Sequence, residues 1–116
     1  MPITEPHELD GVTVGASELS IPSGTTSLST RTESGVYQLW VDAGTLAKGD
    51  EYIIRIYEKV EATGGTKKVV FAATLSDVQS EIFVTPTLIL MNGWDMTIQK
   101  AAGTDRAFDA SIRKVA

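Results

Sequence analysis

The sequence contains no cysteine. Disulfides, thiolate metal sites and cysteine nucleophiles are excluded together. Histidine occurs once, as His7. Histidine is the commonest metal ligand and general base, but here it sits in a polar N-terminal stretch with no second histidine to complete a site. No run reaches the ~18 apolar residues that a membrane-crossing helix needs, so no membrane partner is expected. The opening "MPITEPHELD" lacks an apolar core, and no secretory signal is expected there. Nowhere does a stretch of helical length carry an apolar stripe of 3.6-residue period. Positive charge is also scarce: ten Lys and Arg stand against fifteen Asp and Glu, a net charge of −5. Such a surface repels phosphates, so direct nucleic acid binding is not expected. Lys67 and Lys68 are adjacent, but beside a glycine turn they read as a solvated strand edge.

What the chain does have is short alternating runs separated by turn residues. With 116 residues, it is sized for one domain, able to bury roughly 65% of the surface its unfolded form exposes. Residues 1–10, with Pro2 and Pro6, read as an extended arm, and 11–116 as a single β-sandwich domain. "GVTVGASELSI" (11–21) holds two short strands broken at Gly15. The Ser- and Thr-rich stretch 22–35 reads as loop. "VYQLWVD" places Tyr37, Leu39 and Val41 on one face and Val36, Gln38 and Trp40 on the other. Residues 43–50 read as a loop with at most one helical turn, because eight residues are too few for an independent helix.

The strongest hairpin signal follows. Tyr52, Ile54, Ile56 and Val60 share a face in the first run, and Val69, Phe71, Ala73 and Leu75 in the second, with "ATGGT" between them to reverse the chain. Pro86 divides the next segment into short strands at 81–84 and 87–90, and Asn92-Gly93 turns the chain again. Trp94, Met96 and Ile98 then face inward, with Asp95, Thr97 and Gln99 outward; Phe108, Ala110 and Ile112 face inward in the last run. Short strands with turns about every ten residues predict an all-β fold, two sheets packed as a sandwich.

Chemistry is hard to find. No serine sits in a nucleophile-elbow pattern with a histidine to activate it. Asp42, Asp50, Glu51, Asp95 and Asp109 lie at strand ends, but no spacing singles out a catalytic pair. Asp42, Asp50 and Asp77 lack the compact ligand spacing of an EF-hand calcium loop. "TGGT" lacks the P-loop lysine and its strand–turn–helix setting. No cofactor or metal is expected, and the chain does not read as an enzyme. Trp40, Tyr57 and Trp94 leave one alternative open. An exposed aromatic among them would suit a carbohydrate-binding or host-attachment module of a phage fibre.

The elements "GVYQLWVD", "KGDEYIIRIYEK" and "KAAGTDRAF" resemble the capsid cement, or decoration, proteins of tailed bacteriophages, most of all those of Bordetella-type podoviruses. The similarity covers the last two-thirds of the chain and consists of strand-and-turn patterns. It implies a jelly-roll-like sandwich on the outer surface of the virion. It further implies non-covalent binding to the major capsid protein and assembly as a homodimer, with no catalytic residues. On this reading the shell contacts fall in the arm, at Ile3, Thr4, His7 and Leu9, and in the 22–35 loop, at Thr25, Thr26 and Leu28.

Overall fold

Side-chain alternation sets the strands, and the register between them sets the layers. A computed structural model describes residues 2–115. Met1 and Ala116, at the outer ends of the expected arm and domain, lie outside the described residues. The described residues form β1 (Ile3–Val14), β2 (Leu19–Ser20), β3 (Gly35–Asp42), β4 (Glu51–Glu58), β5 (Lys68–Ser76), β6 (Phe83–Val84), β7 (Leu88–Leu90), β8 (Asp95–Ala102) and β9 (Arg106–Val115). One sheet runs β1-β9-β3, with β6 and β7 both pairing with β3. The other runs β2-β8-β4-β5. All pairings are antiparallel.

β6 and β7 act as one interrupted strand. Pro86 has no N–H to give to the ladder, and Thr85 bridges the gap with its side chain. Its backbone N–H donates to the Leu39 carbonyl at 3.0 Å, and its hydroxyl accepts the Leu39 N–H at 3.0 Å. Counted this way, each sheet has four strands, and the chain passes between the sheets in the order of a jelly roll.

The core lies between the sheets. Tyr37, Leu39 and Val41 of β3 and Phe108, Ala110 and Ile112 of β9 line one wall; Tyr52, Ile54, Ile56, Leu75, Met96 and Ile98 line the other, all buried. Each large side chain contributes about 1.5–3 kcal/mol of burial before ordering entropy is subtracted. The Tyr52 and Phe108 rings meet edge-on at 4.8 Å across the layers. The Tyr52 hydroxyl accepts the Arg106 N–H at 2.9 Å and lies 2.8 Å from the Thr104 carbonyl, so this ring also pins the β8–β9 turn.

Several sequence expectations need correction; Thr97, expected to face outward beside Asp95, is buried. The N-terminal stretch, expected as an extended arm apart from the domain, is extended but belongs to it: Ile3–Val14 is an edge strand paired with β9. Its register slips twice, between Thr4 and His7 and between Leu9 and Val12. Pro6 occupies the first slip, and Gly11, at φ 62°, the second. These bulges break the strict alternation that marks a strand, and Pro and Gly at such sites blunt an edge rather than dissolve it. Val69 is 48% exposed instead of buried. β5 has a bulge there: Ile56 opposes Phe71, but Tyr57 opposes Val69, so Val70 is extra and Val69 turns to the outer face. Val60 lies beyond the end of β4 and is 95% exposed. Phe71 packs on the core while partly exposed.

Candidate docking face

The outer face of the β1-β9-β3 sheet is the least ordinary surface of the molecule. Because Tyr37, Leu39 and Val41 point inward, Val36, Gln38, Trp40 and Asp42 point out. Register then places their neighbours. Ile3 opposes Val115, Val115 opposes Val36, and Val36 opposes Ile89. The result is an apolar row across β1, β9, β3 and β7, with Ile3 71% and Ile89 76% exposed. An outward sheet face in contact with water normally carries polar side chains.

The middle of the face is a stack. The Arg113 guanidinium lies 3.9 Å from the centroid of the Trp40 ring, a cation–π contact. The Trp40 indole N–H donates to Gln38 Oε1 at 3.0 Å, and Gln38 Nε2 donates to the Thr85 carbonyl at 2.9 Å. Arg113 Nε reaches Ser111 Oγ at 3.3 Å, and that hydroxyl donates to the Glu5 carboxylate. Trp40 and Arg113 are thus fixed by their neighbours.

The far end is acidic. Asp42 stands directly opposite Asp109, and Asp109 accepts the Gly11 N–H at 2.7 Å. Glu5, Glu8, Asp10, Asp42 and Asp109 surround a hollow of about 280 Å³ on one side of the Trp40–Arg113 stack. On the other side Ile3, Val36, Thr87 and Val115 line an apolar hollow of about 190 Å³. The face therefore grades from apolar to acidic across one cationic stack. Among the described residues no group of three or more His, Asp or Glu could hold a metal ion.

The expected contact residues are split by the fold. Ile3 and Thr4 are exposed on the edge strand. Leu9 is 4% exposed and belongs to the core, because its bulged strand turns it inward. His7 is half-buried, its ring 6.4 Å from that of Trp94 and edge-on to it. Burial, aided by the nearby Arg31 charge, holds its pKa below the ordinary value. Thr25, Thr26 and Leu28 are exposed, but their loop joins the edge of the other sheet, where Thr25 bridges to Ser20 of β2.

Asp95 makes that loop possible. It was expected to face solvent, yet it is 1% exposed. Its carboxylate accepts the Ser20 hydroxyl at 2.7 Å and the Ser29 N–H at 2.9 Å. Lys67 donates to the Ser29 carbonyl from the far side. Burial pushes the Asp95 pKa up, and these hydrogen bonds oppose it. No local pattern signals such a residue, because the partners that bury it come from positions 20 and 29.

The other candidates do not form sites. Trp94 is buried, and the Tyr57 hydroxyl donates to Glu18 at 2.7 Å. Trp40 is half-buried, with the Arg113 guanidinium over its ring. Asp50 is occupied by the N–H groups of Thr104 and Ala47 and by Arg106, and Asp77 by the Gly49 N–H. The backbone bonds to Thr104 and Ala47 lead in holding the Asp50 pKa below the usual carboxylate value.

No protein-family model matches the chain, and no curated protein matches it. A solved structure of Eiger TNF from S. frugiperda is similar over 78% of this chain and 66% of that chain, at 19% identity and a TM-score of 0.45. This chain therefore spans just under two thirds of the length of that structure.

Proposed function

We propose that the chain is a virion structural protein. It binds the outside of a phage head through the outer face of the β1-β9-β3 sheet and cements neighbouring major capsid subunits without covalent bonds. The observation that carries this reading is the apolar row in which exposed Ile3, Val36 and Ile89 are joined by half-buried Val115. Contiguous exposed apolar surface marks a contact site, and a flat sheet face suits a broad protein surface better than a small ligand. The acidic end of the face favours a partner with basic groups at the matching position, which sets orientation more than affinity. The partner's identity comes from the resemblance of the strand patterns to cement proteins. Many copies on one shell add modest contacts into a large total.

The test uses heads of the phage that carries this chain, assembled without it. The wild-type protein should sediment with them at a copy number fixed by shell geometry. Ile3→Lys combined with Val36→Lys puts charge into the apolar row at two exposed positions. This variant should keep its melting temperature and lose the heads. If it decorates heads as well as the wild type does, this face is not the contact.

A further inference from the structure

The two sheets have four edges, and three are protected. β1 carries Pro6, two bulges and the acids Glu5, Glu8 and Asp10. The β6–β7 edge is cut by Pro86. β2 is two residues long. These are the ordinary devices against edge-to-edge pairing.

β5 is the exception. It is nine residues long, it pairs with β4 on one side, and no strand among the described residues pairs with the other. From Val69 to Ser76, "VVFAATLS", there is no charge, no proline and no glycine. An uncharged stretch of edge strand with unpaired backbone groups is open to another strand. Its single bulge, at Val70, leaves Phe71 to Ser76 regular.

We infer that this edge pairs antiparallel with β5 of a second copy of the chain, joining two four-stranded sheets into one across a two-fold axis. Three features of β5 select a second copy as the occupant. The first is charge. Lys67 and Lys68 lie at one end and Asp77 just past the other. Antiparallel pairing brings the basic end of each copy against the acidic end of the other, whereas parallel pairing would place like on like. The second is size. A two-fold axis normal to the sheet leaves every side chain on its own face, so only residues of the same face can oppose each other. With the axis at Ala72, Phe71 of one copy opposes Ala73 of the second copy on the inner face, large against small, twice over. The third is burial. Phe71 and Ala73 point inward yet keep partial exposure, and the second copy covers what the first leaves open. The cement-protein resemblance implies a homodimer without saying where the copies meet; the β5 edge supplies that seam and leaves the docking face free, because β5 belongs to the other sheet.

The axis makes the test specific. Ala72 is exposed, so its substitution leaves the core untouched, and a charge there meets its own copy across the axis. By sedimentation velocity the wild-type protein should run as two chains of 12.4 kDa at micromolar concentration. Ala72→Lys alone and Ala72→Glu alone should each dissociate, with self-association weakened at least about 100-fold by like charges facing each other. An equimolar mixture of the two variants should restore the dimer, with unchanged circular dichroism throughout. A monomeric wild type, single variants that dimerise like the wild type, or a mixture that stays monomeric would each overturn the inference.

Discussion

Trp94→Ala should destabilise the protein by about 3–5 kcal/mol, the range for removing a large buried aromatic. Domains of this kind are stable by about 5–15 kcal/mol in all, so the variant stands near the limit of folding. Trp94 is fully buried, and its ring lies 4.6 Å from that of Tyr37. Its indole N–H donates to the Glu33 carbonyl at 2.9 Å, and its backbone exchanges two 2.8 Å hydrogen bonds with Arg31. The residue therefore closes the sandwich and holds down the end of the 22–35 loop. Trp94→Phe keeps an aromatic ring against Tyr37 and loses the indole hydrogen bond and part of the ring volume, so it should cost less than Trp94→Ala. Urea unfolding followed by circular dichroism separates the two. A loss below about 1 kcal/mol for Trp94→Ala, the scale of an ordinary point substitution, would show that the loop and core are not coupled through this side chain.

Gly103→Ala should rank next. Gly103 sits in the β8–β9 turn at φ 93°, where a side chain is strained by about 1–3 kcal/mol. There is also no room. A Cβ built there lies 2.7 Å from the Asp50 Cα and closer still to one carboxylate oxygen. That same carboxylate holds the Thr104 and Ala47 N–H groups and Arg106. Moving it would loosen two turns at once, so the effect should exceed the backbone strain alone. Thermal melting checks this. Gly49, also at φ 93° but with nothing near its missing Cβ, supplies the control, because Gly49→Ala should show the strain without the collision.

The strands that could be read from the sequence were those in which alternation is unbroken. Tyr37, Leu39 and Val41, then Tyr52, Ile54 and Ile56, then Phe108, Ala110 and Ile112 each keep one phase, and each run is a strand with that face in the core. The misreadings follow bulges. In β1 the inward residues His7, Leu9, Val12 and Val14 change phase at Gly11, so the pattern looks irregular and its polar outer face looks like an extended arm. In β5 one extra residue at Val70 turns Val69 out. The docking face was hidden for another reason. Val36 was visible as one apolar residue on a mixed face. The row it belongs to joins positions 3, 115, 36 and 89, which only strand register brings together. Asp95 depends in the same way on Ser20 and Ser29 folding back over it.

The absence of cysteine permits a direct measurement of which side of the sandwich meets the shell. Thr87→Cys places a thiol beside the apolar hollow of the β1-β9-β3 face. Thr26→Cys places one on the exposed loop beside β2, at the edge of the other sheet. Each variant is treated with a maleimide free in solution and again when bound to heads. The thiol at position 87 should lose its reactivity on binding, while the one at position 26 keeps it. Protection at position 26 with position 87 still reactive would contradict docking through the outer face.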